Sequence, residues 1–300
     1  MDGAGGEPYP GCRDASWERD RARETDLVSD DEFIEIVTRP AAEVARRAII
    51  LSAVCRRAFL ELSDAGEGVA PPLTGHVGGD PDDGGGRAGD DDDGAGDVGE
   101  GFDLLAWLLD EGLSDDLTPD EVSLLRAPLG ALDRDEAEGL TWTVEALTGL
   151  VWALGLLPAP PAFDRPTDGE ALLSVLPEPE SPTGTFCQEA RLRDETEIAA
   201  ARDEAEIWDW RAGLQPELRH PDRARQRDAR EALADVVAEA RDSGLLPPLP
   251  ATDLLVSGNP YATVDDDALV TLAAIASHRL HALNWVCGFG ETWDTVPDEV

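Results

Sequence analysis

Apolar side chains recur along this chain at helical spacing almost throughout. In "TRPAAEVARRAIILSAVCRRAFLEL" (38–62), Val44, Ala48, Leu51, Val54, Phe59 and Leu62 line one face behind Pro40, which predicts an amphipathic helix. "FDLLAWLLDEGL" (102–113) predicts a short one. "LTPDEVSLLRAP" offers Thr118 as N-cap, Pro119 as first helical residue, and Asp120 and Glu121 in the first turn, where the helix dipole favours carboxylates. "DEAEGLTWTVEALTGLVWALGLL" (135–157) is apolar nearly all round in its second half, as the central helix of a bundle would be. A small helix, "GEALLSVLP", sits between Pro-rich connections. Longer ones are predicted over 189–214 and 221–244, and a last one over about 264–287, opened by "TVDDD". Neither Val/Ile alternation nor paired turn chemistry predicts a sheet, and no internal repeat is present. The fold class expected is all-α, an irregular multi-helix bundle in a single domain.

Two stretches break this pattern. Residues 1–28 are polar and rich in Gly, Asp and Arg, which predicts a flexible arm with Trp17 as its anchor. Residues 29–68 then form the first helical part of the domain. Residues 69–101 are low in complexity, rich in Gly and Asp and nearly without large apolar side chains. They cannot bury enough surface to offset their ordering entropy, so a disordered insertion is expected, with His76 solvated inside it. Residues 102–300 are the main helical part of the same domain.

Charge changes the picture of the habitat. The chain carries 64 acidic residues against 24 basic ones, a net charge of −40, and every basic residue is Arg. A folded chain of 32.1 kDa exposes on the order of 12,000 Å², so roughly one uncompensated negative charge would fall on every 300 Å². Such a surface repels itself in dilute salt. At molar salt the Debye length falls to about 3 Å, and the surface then stays hydrated where a neutral one would salt out. The expectation is a halophilic, cytoplasmic protein. The excess is spread over the chain, which argues against a nucleic-acid mimic. Cys12, Cys55, Cys187 and Cys287 lie far apart with no CxxC pair, as free thiols of a reducing compartment would. The N-terminus has no signal-peptide pattern, and the most apolar window, 146–162, is too short and Pro-broken to span a bilayer.

Candidate chemistry is sparse. On the last helix, Leu269, Leu272, Ala276, Leu280, Leu283 and Cys287 form the core stripe, with His278, His281 and Trp285 on the opposite side. His278 and His281 are weak candidates for metal ligands. A zinc site needs three or four ligands, and only His220 is at hand as a third, so no metal and no cofactor is expected. There is no G-x-S-x-G elbow, and a phosphate loop would lack its Lys. "RARQR" (223–227) is interleaved with carboxylates, which favours helix-face ion pairs over nucleic-acid contact. Glu145 heads the most apolar helix. Either it pairs there with an Arg from another helix, Arg193 or Arg279, or it is a partly exposed first-turn carboxylate favoured by the dipole.

"EVARRAIILSAV", "LTPDEVSLL", "WTVEALTGLVWALGLL", "ARLRDETEI", "IWDWRA" and "DLLVSGNPYATVDDDALVTLAAIASHRLHALNWVCGFGETWDTVP" together resemble the uncharacterised domain-of-unknown-function family 4272, in the form of an acidic, haloarchaeal-type member. The resemblance runs from about residue 38 to the C-terminus, skipping the acidic insertion. It implies a helical domain and no particular activity. The family's helix end reads Glu-Arg-His, one residue, then Ala-Leu-Asn-Trp. Here Arg279, Ala282, Leu283, Asn284 and Trp285 agree, while His278 and Leu280 replace the Glu and His, which weakens an acid/base reading. The matching residues Trp142, Glu145, Arg193, Arg279, Asn284, Trp285, Trp293 and Asp294 are expected to form a buried polar network or to line a pocket.

Two functional readings follow. The first is a non-enzymatic binding or interaction protein, whose partner could be another protein, with neither membrane nor nucleic acid expected. The alternative is a small-molecule-binding or hydrolytic enzyme with its pocket between the 136–157 helix and the C-terminal segment. An enzyme would gather Glu145, Arg279, Asn284 and Asp294 around a concavity, whereas a scaffold would bury them as satisfied pairs.

Overall fold

Ten helices run in chain order through the computed structural model, which describes residues 36–64, 103–249 and 251–297. The expected arm (1–28, with Trp17 and Cys12) and insertion (69–101, with His76) lie outside the described residues. The helices are α1 (Ala41–Asp64), α2 (Leu104–Asp110), α3 (Pro119–Arg126), α4 (Arg134–Thr141), α5 (Thr143–Ala153), α6 (Gly169–Leu173), α7 (Gly184–Glu189), α8 (Glu195–Leu218), α9 (Arg223–Asp242) and α10 (Asp266–Val286). Start signals act as read. Thr118 and Glu121 close a capping box on α3, and Asp265 caps α10 through the Ala268 amide.

The core follows from the two apolar faces of α1. Ile49, Ile50 and Ala53 pack on Leu104, Leu108, Leu113 and Leu125 from the α2–α3 region. Val44, Ala48, Leu51 and Cys55 face the larger cluster built around α5. As its all-round apolarity predicts, α5 is buried at every residue from Val144 to Ala153. It packs between α1 and α10, α10 also lies on α8, and α9 lies on α8. A Cβ on Gly149 would stand 3.1 Å from that of Ala282 and 3.6 Å from the Arg279 carbonyl oxygen. Absence of a side chain there lets α5 and α10 approach closely, one turn from where Glu145 and Arg279 meet.

Three expectations are corrected. The helix read over 135–157 is interrupted at Trp142, the C-cap of α4 and the N-cap of α5. Half-buried Trp142 packs on the main core while the Glu145 amide bonds its carbonyl. The helix read from 189 begins only at Glu195, because Arg193 is drawn onto the end of α5. Thirdly, Leu255–Val256 (β1) pairs antiparallel with Asn259–Pro260 (β2) around Ser257 and Gly258, both at positive φ. This hairpin is anchored from below. The Asp253 carboxylate accepts from Arg211 Nε at 2.6 Å and Nη2 at 3.0 Å, and from the Leu254 and Ala262 amides.

Candidate functional site

Glu145 and Arg279 form a buried ion pair. The two side chains are 1% and 3% exposed, and Arg279 Nη2 and Nε lie 2.7 and 2.9 Å from Glu145 Oε2. The Thr167 amide and hydroxyl also donate to this carboxylate, at 2.7 and 3.1 Å. Arg279 Nη1 donates to the Pro161 and Ala162 carbonyls, its Nη2 reaches the Thr167 hydroxyl, and its guanidinium lies over Phe163. Burial pulls the Arg279 pKa below its ordinary value, and Glu145 beside it pulls back. With these donors satisfied, the pair clamps the 161–167 loop between α5 and α10. A structural lock of this kind has no free group to offer a substrate.

The other predicted residues separate into distinct contacts. Arg193 does not reach Glu145. Its Nε and Nη2 donate to the Trp152 and Leu157 carbonyls, and its amide donates to Ala153, so it caps the C-terminal end of α5. Asn284 Oδ1 accepts from Arg202 Nε at 2.9 Å. Arg39 does for α10 what Arg193 does for α5. Its amide donates to Val286, its Nε to Trp285 and its Nη2 to Gly290, with the guanidinium 4.6 Å from the Trp285 ring centre. Gly290, at φ 75°, then lets the chain fold back, since a Cβ there would meet Thr295 O at 2.8 Å. The turn so formed sets Trp293 edge-on to Trp285 at 5.5 Å and to His281 at 4.6 Å, with the Arg47 guanidinium 4.6 Å from its ring centre.

Above Trp293 opens a cleft of about 470 Å³, within the roughly 300–1,000 Å³ of small-ligand sites. Leu51 and Val54 of α1, Leu124 of α3, Leu140 of α4 and Ala146 of α5 supply apolar wall. Thr118, Asp120, Glu121, Thr143, Ser277, His278, His281 and Asp294 supply polar groups. Glu121 is committed: it closes the α3 capping box and pairs with buried Arg47. Asp120 and Asp294 are exposed and have no side-chain partner among the described residues. His278 Nδ1 lies 2.9 Å from the Ala274 carbonyl. A carbonyl only accepts, so Nδ1 carries the hydrogen and Nε2 the lone pair. Burial pushes the His278 pKa below its usual value, countered in part by the Ala274 bond and by Glu145.

Of the predicted residues, His278, His281, Trp293 and Asp294 therefore meet at the cleft, while Glu145, Arg279, Asn284 and Arg193 lie elsewhere in separate locks. Sequence reading missed Arg39, Arg47, Thr167 and Arg202, which hold the pieces in place. The proximity of Arg39 and Arg47 to Pro40 was visible in the sequence, but their partners lie some 70 to 250 residues away. Cys55, Cys187 and Cys287 are free thiols whose pKa values burial raises, Cys287 up to about 12. Burial thus disfavours their thiolate forms. Among the described residues, no three His, Cys, Asp or Glu side chains converge as metal ligands, and no helix is long and apolar enough to cross a membrane. On α9, Arg227 pairs with Asp228 and Glu231, as the interleaved charges predict.

No curated protein and no solved structure matches the chain. The family match is narrower than the resemblance from residue 38 onward suggests, since α1, α10 and the Trp293 turn fall outside it. Residues 100–238, from just before α2 to near the end of α9, match the family model described as "Domain of unknown function (DUF4272)".

Proposed function

We propose that this protein is a non-catalytic binding domain that holds a small molecule in the cleft between α3, α4–α5, α10 and the Trp293 turn. One observation carries the reading: the cleft is of ligand size and mixed wall, and it lies where the 136–157 segment meets the C-terminal segment. Binding is favoured over hydrolysis because Glu145, Arg279 and Asn284, the polar residues best placed for chemistry, spend their hydrogen bonds on structure. The charge of −40, the absence of Lys and the free thiols support a cytoplasm of high salt as its setting.

Nuclear magnetic resonance of the full-length protein tests this through the indole N–H of Trp293, assigned by its loss in Trp293→Phe. Fragments that bind should shift that signal. Ser277→Trp, which fills the cleft from an exposed position, should abolish the shifts without lowering the melting temperature. Shifts that survive Ser277→Trp, or a fragment set that moves no Trp293 signal, would defeat the proposal.

A further inference from the structure

The chemistry of the cleft wall points to the class of its ligand. We propose, resting on the binding reading above, that the cleft selects a small organic cation, a protonated amine on an apolar or aromatic body. No Arg is among the described residues that line it, and the chain has no Lys. Arg47 donates through Nη1 to Glu121 and the Asp116 carbonyl and covers a face of Trp293. An anion would look for the N-terminus of α3, but the Thr118–Glu121 box occupies its amides and Asp120 stands in its first turn. Apart from the Thr118, Thr143 and Ser277 hydroxyls, which can donate or accept, what remains free among the described lining residues is acceptor in character. Asp120 and Asp294 are exposed carboxylates with no side-chain partner among the described residues, and His278, its hydrogen fixed on Nδ1 by the Ala274 carbonyl, has a lone pair on Nε2. An ammonium group can donate to both kinds of acceptor, carboxylate and imidazole, and Leu51, Leu124 and Leu140 offer apolar surface to the remainder of such a ligand. A carboxylate or phosphate would meet repulsion and no donor of full charge.

The test uses three probes sharing one body: tryptamine, its alcohol analogue tryptophol, and indole-3-propionate. They are titrated calorimetrically into the full-length protein and into two variants, at a salt concentration that keeps the protein folded. Tryptamine is expected to bind tightest and indole-3-propionate not at all. The double variant Asp120→Asn/Asp294→Asn should weaken tryptamine by about ten- to a hundredfold, the worth of one or two charge-assisted hydrogen bonds, and leave tryptophol within about threefold. Ser277→Trp should abolish all binding. If tryptophol or indole-3-propionate binds as tightly as tryptamine and Ser277→Trp still abolishes it, the cleft reading stands and the cation inference falls. Should none of the probes bind, or binding ignore Ser277→Trp, both are overturned.

Discussion

The side chain that decides most is Glu145. A carboxylate in a helix buried on every side is tolerated because it meets a guanidinium and two donors from Thr167, and breaking that set leaves a charge stranded. Glu145→Gln should destabilise the fold by about 3–5 kcal/mol, read as a shift in denaturant midpoint at constant slope. Pairing it with Arg279→Met, which removes the stranded charge, should recover much of the loss. An unchanged midpoint in Glu145→Gln would show that the pair is not closed in solution. His278 gives a second prediction. Its folded pKa lies below the value of about 6.5 for the unfolded chain, so below that pH the unfolded state binds the extra proton. Its effect is therefore to lower stability as pH falls from about 6.5 toward the folded pKa. Glu145, His281, Asp120, Glu121 and Asp294 are its ionisable neighbours, so the readout is a difference: His278→Gln should melt with a shallower loss between pH 7 and 5 than the parent. Parallel pH profiles would contradict this.

At the scale of elements, two Arg residues, Arg39 and Arg193, close the C-terminal ends of the two central helices, and one Gly lets those helices touch. Gly149→Val puts branched carbons where 3.1 Å separates a Cβ from Ala282, so α5 and α10 must part. Overpacking of this kind costs about 1–3 kcal/mol, and the same shift should lengthen the Glu145–Arg279 contact, exposing both to hydrogen exchange. A variant as stable as the parent would mean that the crossing is looser than 3.1 Å implies. Capping chemistry explains why the starts of α3, α9 and α10 were legible in the sequence. Thr118, Asp222 and Asp265 act within three residues of where they stand. The late start of α8 at Glu195 and the break at Trp142 were not legible; Arg193, for one, acts on a carbonyl about 40 residues distant.

For the whole molecule, charge governs the response to its medium. Self-repulsion of a net −40 should be screened as salt rises. Raising KCl from 0.1 to 2 M should increase the melting temperature by on the order of 10 °C, whereas an uncharged osmolyte at equal osmolarity should do less. A melting point indifferent to KCl would argue against the high-salt setting. Local spacing alone determined the helical class, the capping of α3 and α10, the buried centre of α5 and the acidity, because each depends on neighbours within a turn or on simple counts. The sequence also narrowed the partner of Glu145 to two Arg residues. Only the tertiary structure chose Arg279, sent Arg193 to the end of α5, and separated the locks from the cleft. It also returned His278 and His281 to the candidate site. Those outcomes turn on which helix faces meet across some 40 to 130 residues, and packing settles that where periodicity cannot.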